Sequence, residues 1–137
     1  MTYTTMEQGA EYTFPAGLPG FPDCRRLLLQ RPADCGPLVW LVSLDRPDLA
    51  FAAVEVDTIV EGYHPRFSRE DLADLSCADQ AGLVTLVLLT LPEGEGDVTA
   101  NLRAPLILNP ETCIGRQAIL SGQEYSARHR LSGGVAK

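Results

Sequence analysis

The chain has 137 residues, of which 45% are hydrophobic and 21% charged, a composition typical of an ordinary globular protein. We therefore predict a single domain over residues 1–137 with one core. The formal net charge of −7 argues against direct binding of nucleic acid, which needs a basic surface. No apolar run is long enough to cross a membrane and no secretory signal is recognisable, so we expect a cytoplasmic protein without membrane contacts.

The segment Phe14–Pro22 packs three prolines and two glycines into nine residues. Neither a helix nor a central strand accepts that density, so the segment is predicted to be an ordered loop. Its apolar side chains, Phe14, Leu18 and Phe21, are expected to hold the loop against the core.

Short β-rich runs bounded by turn residues follow along the chain. Strands are predicted at residues 25–30, 38–44 and 49–56, and the last two form a hairpin around the turn at 45–48. Trp40 and Phe51, which lie in this hairpin, are expected in the core.

One short helix is predicted over residues 68–75, with Ser68 as its N-cap and Leu72 and Leu75 on one face. The pair Glu70–Asp71 is interpreted as a solvated first turn, where acidic side chains are favourable.

The second half of the chain predicts a central strand at 83–91, an acidic loop at 92–97 and a last strand at 113–120. Between them, residues 98–109 predict two strand pieces around Arg103–Pro105, with Pro105 at an edge or a bulge because it lacks a ladder donor. A turn follows at 109–111, and residues 132–137 are predicted to be a loose tail. The pattern favours an all-β, minimal antiparallel β-barrel-like domain with one or two short helices.

No pattern of catalytic or metal-binding residues emerges. Cysteines occur at long, irregular spacings and are interpreted as buried apolar residues: Cys24, Cys35, Cys77 and Cys113. His64 and His129 have no partner at metal-ligand spacing, and no nucleophile elbow, phosphate loop or calcium loop is present. We expect no metal, no cofactor and no enzymatic activity, with an unfamiliar hydrolase kept as an alternative.

Several sequence blocks then point to a known family. Phe14–Phe21 reads FPAGLPGF and resembles the FPxGLPGF signature of FliW proteins. Blocks at residues 37–41, 48–51, 99–109, 115–117 and 125–129 resemble the later FliW blocks in the same order, so the resemblance runs from about residue 12 to residue 131. The chain departs in lacking the longer first strand of the family and in carrying Ser126 and Arg130 where the closing block usually has proline.

The resemblance implies a monomeric flagellar assembly factor with two protein partners, flagellin and a CsrA-type RNA-binding translational regulator. In the family's partner switch, flagellin occupies the factor until it is exported. The freed factor then binds the regulator, which releases flagellin messenger RNA. The alternative is a diverged FliW-like domain that serves flagellin or another protein without translational control.

Acidic residues predominate between positions 45 and 97, with 12 acids against 3 bases. We hypothesise that these acids disfavour RNA on the bound regulator, an effect that acts within roughly 8–10 Å at physiological salt. The predicted contact residues are Glu55, Asp57, Glu61, Asp74, Asp79, Asn101 and Arg103. The last two alternate with apolar neighbours, so they are expected to face solvent on one side of a strand.

Overall fold

A computed structural model describes residues 9–18, 20–30, 38–55, 63, 65–76, 82–90, 96, 98–120 and 125–130. Within those ranges the chain forms nine strands and one helix. In chain order they are β1 (Glu11–Thr13), β2 (Arg26–Gln30), β3 (Leu38–Ser43), β4 (Ala50–Glu55), α1 (Arg69–Asp74), β5 (Val84–Thr90), β6 (Thr99–Ala100), β7 (Leu106–Asn109), β8 (Ile114–Gln117) and β9 (His129–Arg130).

Seven of these strands close a barrel in the order β1-β2-β3-β4-β5-β7-β8, and β6 and β9 extend from the end of β5. The ladders are antiparallel except between β1 and β8, where Thr13 pairs with Ile114 in parallel. Closure leaves the barrel strands few open edges. The predicted all-β, barrel-like fold with a short helix is confirmed, and the parallel closing pair is an addition to it.

The barrel interior holds the main core. Its buried side chains come from every barrel strand except β8 and from the loop after β1: Tyr12, Phe14, Leu18, Leu27, Leu29, Val39, Leu41, Ala53, Val84, Leu86, Leu106 and Leu108. A second cluster lies on the outer side of β4 and β5 and is formed by Val54, Tyr63, Val87, Ala100, Leu102 and Leu120. A third, smaller cluster packs Leu75 against Ile107 and Ala118.

Backbone hydrogen bonds fix the described residues of the predicted loop, 14–18 and 20–22. Leu18 and Phe21 bond each other's backbone, with N···O distances of 3.1 and 2.7 Å. Gly17 has φ of +70°, and a Cβ there would lie 2.6 Å from the carbonyl oxygen of Pro22, so only glycine fits. Phe14 and Leu18 are buried and Phe21 packs half-buried against the same core, which confirms their expected role.

Helix α1 begins after Ser68, whose Oγ accepts the N–H of Asp71 at 3.0 Å, and this confirms the predicted cap. Leu75 is fully buried and Leu72 half-buried. The interpretation of the first turn as solvated is correct for Glu70 and wrong for Asp71, which is buried. Asp71 is buried because its carboxylate reaches across to a cation on the barrel.

The hairpin of β3 and β4 and the central position of β5 are confirmed. The predicted strand at 113–120 is only β8, and β9 was not predicted because two residues carry no periodic signal. Pro105 lies between β6 and β7, just before β7, so it interrupts no ladder and its carbonyl accepts the N–H of Ala118 at 2.9 Å.

Of the cysteines, Cys24 is buried and Cys113 half-buried, in line with their interpretation as apolar residues. Cys35 and Cys77 lie outside the described residues, as do His64 and nearly all of the acidic loop.

Candidate functional site

A mostly apolar groove of about 420 Å³ lies between β4 and the end of β5. No charged side chain lines it. Its lining residues are Leu18, Phe21, Trp40, Ala50, Phe51, Ala52, Leu88, Leu89, Thr90, Asn101, Gln117 and Ala127. We call this cleft the β4–β5 groove.

The groove exists because the β4–β5 ladder is short. It contains three residue pairs and ends at Ala53 opposite Leu88. The next pair in register, Ala52 with Leu89, is not formed, and the described pairs of Leu89 and Thr90 are with β6, on the opposite edge of β5. The two strands therefore separate, and the cleft opens between them.

Trp40 and Phe51 are half-buried and line this groove. The prediction of a core position is wrong for Trp40, whereas Phe51, like Phe21, packs half-buried against the core. In β3 the residues facing the interior are the alternate set that contains Val39 and Leu41, which places Trp40 on the outer face opposite Ala52. Phe51 contacts the core only in part and packs edge-to-face on Phe21, with ring centroids 5.4 Å apart. Half-exposed aromatic side chains beside small residues are typical of protein contact surfaces.

Asn101 holds one wall of the groove. Its side-chain oxygen accepts the N–H groups of Arg103 and Ala104, both at 3.1 Å, and so fixes the link between β6 and β7. Arg103 is exposed, as expected, whereas Asn101 is half-buried and lies just after β6 rather than on the solvent face of a strand.

The structure locates two of the five predicted acidic contacts. Glu55 ends β4 and is half-buried. Asp74 ends α1, and its side chain is 54% exposed in an ion pair with Arg116. Asp57, Glu61 and Asp79 lie outside the described residues.

Arg116 links β8 to α1, a contact that was not predicted from the sequence. Its Nε donates to Asp71 Oδ1 at 2.5 Å, and its Nη1 donates to Asp74 Oδ2, so β8 is bound to both acids of α1. Arg116 and Asp71 are 45 residues apart in the chain, and no local sequence pattern predicts such a pair. A second cavity of about 270 Å³ lies beside this pair, between α1, β8 and the loop at residues 15–17.

Two blocks of the family resemblance meet at Gly115. A Cβ on this residue would come within 2.5 Å of the ring of Phe14, so the loop after β1 packs directly on the backbone of β8. Gln117, two residues on, donates its amide to the carbonyl of Ala104 at 2.8 Å. These residues of the closing blocks therefore serve the fold.

Tyr63 joins two further blocks. Its hydroxyl donates to the carbonyl of Leu102 at 2.5 Å, and its ring packs edge-to-face on Tyr125 with centroids 4.6 Å apart. Burial, and to a lesser extent Tyr125, raises the pKa of Tyr63 above its ordinary value.

Asp45, in the β3–β4 turn, binds the start of β2. The backbone N–H of Arg26 and then that of Arg25, both 2.9 Å from its carboxylate, hold the pKa of Asp45 below its usual range.

The described residues contain no group of three or more His, Cys, Asp or Glu side chains that could hold a metal ion. His129 is half-buried in β9 opposite Ala100. No helix within the described ranges is long and apolar enough to cross a membrane.

Comparison with known proteins gives one consistent result. The family model described as FliW protein matches residues 1–131. The flagellar assembly factor FliW of Geotalea uraniireducens is 35% identical over 124 residues, covering 90% of this chain and 76% of the relative. That of Thermotoga maritima is 36% identical over 122 residues, covering 88% and 82%.

The fold agrees with a solved structure. A crystal structure of the flagellar assembly factor FliW superposes with a TM-score of 0.81 at 27% identity, covering 92% of this chain and 88% of the other. The family match and the shared barrel show that the chain belongs to the FliW family.

Proposed function

We propose that this protein is a cytoplasmic flagellar assembly factor that binds flagellin and a CsrA-type translational regulator in turn, and thereby relieves repression of flagellin translation. The observation that carries the proposal is the β4–β5 groove, with half-exposed Trp40 and Phe51, on a chain of the FliW family. Aromatic anchors in an apolar cleft suit the binding of another protein rather than a reaction.

The charge of the chain supports the regulatory half of the proposal. A regulator that binds messenger RNA presents a basic surface, and an acidic protein attracts such a partner while repelling phosphate. Among the described acids, Asp45, Asp71 and Asp74 are already bonded within the fold. Reversal of Asp74 would also break its ion pair with Arg116, so the repulsive field is tested at Glu55 and at the acids at positions 57, 61 and 79.

The test is a titration of the purified protein against flagellin and the CsrA-type regulator of the same organism, with labelled flagellin leader RNA as the reporter. We expect each partner to bind alone, flagellin to displace the regulator, and the regulator complex to release RNA. Binding of flagellin without the regulator would establish the chaperone-like alternative. Binding of neither would refute the proposed function.

Charge reversal tests the acidic field. We expect the combined change Glu55→Lys, Asp57→Lys, Glu61→Lys and Asp79→Lys to weaken RNA release while flagellin binding remains. The control is Glu111→Lys, a single charge reversal at an exposed residue in the β7–β8 turn, compared with Glu55→Lys alone. If RNA release survives the four reversals intact, the acidic field is not the mechanism.

A further inference from the structure

The backbone of β4 presents hydrogen-bonding groups to the groove. The N–H of Ser43 donates to the carbonyl of Leu49 at 3.0 Å, so the backbone of Leu49 faces β3. Backbone groups alternate sides along a strand, and those of Ala53 therefore face β3 as well. The N–H and C=O groups of Ala50 and Ala52 face the other way, into the β4–β5 groove.

The opposite wall presents a matching group. The carbonyl of Leu88 accepts the N–H of Asn101 at 3.0 Å and so faces β6, which turns the backbone of Leu89 toward the groove. The β4–β5 ladder stops at Ala53. Among the described residues, Ala50, Ala52 and Leu89 thus have no ladder partner on the groove side. Unpaired strand edges of this kind are templates for a further strand.

Two exposed arginines lie close in sequence to residues of the groove lining. The N–H of Leu102 bonds the carbonyl of Ser126 at 2.9 Å, which sets the segments carrying Arg103 and Arg128 side by side. Both arginines are exposed, and neither has an ion-pair partner within the described part of the chain. Because the lining itself is uncharged, a carboxylate on the occupant is the complementary charge.

We propose that the β4–β5 groove takes an extended, apolar segment of a partner protein, which pairs with β4 at Ala50–Ala52 as an added strand and places an acidic residue near Arg103 and Arg128. A bound helix would not satisfy this edge, because its backbone groups are already paired internally. Strand addition supplies affinity through main-chain hydrogen bonds, and side chains of the segment pack on Trp40 and Phe51. The inference rests on the proposed protein-binding function and specifies the chemistry of the bound segment.

The first test is an NMR titration of the ¹⁵N-labelled full chain with a synthetic octapeptide of alternating valine and threonine, with glutamate at each end. We expect the amide signals of Ala50, Ala52 and Leu89 to shift. A peptide with alternate backbone nitrogens methylated cannot pair as a strand, and it should bind at least about tenfold more weakly. A peptide with lysine in place of glutamate should also bind more weakly.

The second test uses variants of the full chain. Ala52→Pro removes a donor that faces the groove and leaves the β3 ladder intact, so we expect at least about tenfold weaker peptide binding. Arg128→Glu should weaken binding of the glutamate peptide severalfold. The control Arg69→Glu, at an exposed residue of α1, should leave that binding unchanged. Should Ala52→Pro fail to fold, hydrogen exchange of the unmodified chain gives the same information. Peptide should then slow exchange at Ala52 and leave Ala53 unchanged.

Two results would overturn the inference: no amide shift at the groove with about 1 mM peptide, or equal binding of the methylated peptide. Either result, together with normal binding of flagellin and the regulator, would leave the proposed function standing and refute only strand addition. Binding of the peptide with no binding of those two proteins would refute the proposed function and retain the groove as a strand site.

Discussion

Removing Arg116 is the most informative perturbation of the fold. The side chain of Asp71 is only 10% exposed, and Arg116 is its only cationic contact among the described residues. Arg116→Met would leave a buried carboxylate without a counter-charge while keeping most of the packing. Breaking a buried pair costs about 3–5 kcal/mol, and we expect about 3 kcal/mol because Arg116 is itself 35% exposed.

The same arginine provides an internal comparison. Asp74 bonds Arg116 with a side chain that is 54% exposed, so Asp74→Asn should cost no more than about 1 kcal/mol. Asp71→Asn should cost more than Asp74→Asn, since it removes the buried end of the pair. The double variant Arg116→Met with Asp71→Asn should lose less than the sum of the single changes, with a coupling of about 1–3 kcal/mol.

The assay is urea unfolding at pH 7, followed by the fluorescence of Trp40, the single tryptophan. Its position on the barrel wall reports loss of the barrel. An unchanged m-value would show that the variants alter stability rather than the extent of unfolding. The reasoning is refuted if Arg116→Met costs no more than Asp74→Asn, or if the Arg116 and Asp71 changes add without coupling.

Three further predictions concern single contacts. Gly115→Ala should lower stability by about 1–3 kcal/mol through overpacking against a phenylalanine ring, whereas Gly82→Ala, with open space around it, should change little in the same urea assay. Tyr63→Phe should lose about 1 kcal/mol by leaving the carbonyl of Leu102 unpaired. Because the pKa of Tyr63 is raised in the fold, its neutral hydroxyl contributes fully to stability below about pH 10, and this contribution is lost as pH rises further. Tyr63→Phe should therefore lose less stability than the wild type in alkali. Because the pKa of Asp45 is lowered in the fold, its carboxylate stabilises the protein above about pH 4, and this contribution is lost as pH falls. The melting temperature of Asp45→Asn should therefore fall less steeply on acidification than that of the wild type. Equal falls in the two proteins would contradict this.

Local signals in the sequence predicted the local structure well. The proline- and glycine-rich loop, the hairpin turn and the Ser68 cap each depend on residues within one short segment, and each was found where expected. The helix and most strands end within a residue or two of the predicted positions, as is usual for element boundaries.

Contacts between distant segments were not predictable in the same way. The run at residues 38–44 is almost wholly apolar, so periodicity gave no indication that Trp40 faces outward. The pairing of Arg116 with Asp71 and the parallel closure at Thr13 depend on how the barrel closes. The acidic contact set was inferred from charge alone, and only Glu55 and Asp74 of that set can be placed on the fold.

One residue of the family blocks, Asn101, also affects the shape of the β4–β5 groove, through the link between β6 and β7. If β6 continued the register of β7 along β5, Leu89 would lie opposite Arg103, yet it lies opposite Ala100. Three residues are therefore looped out, and the side chain of Asn101 bonds the backbone of that link. Looped-out residues bend and twist the strands around them. The β4 ladder ends at Leu88 of β5, next to Leu89, where the pairing with β6 begins. Asn101 therefore helps to shape the groove that it lines, in addition to the partner contact predicted for it from the sequence.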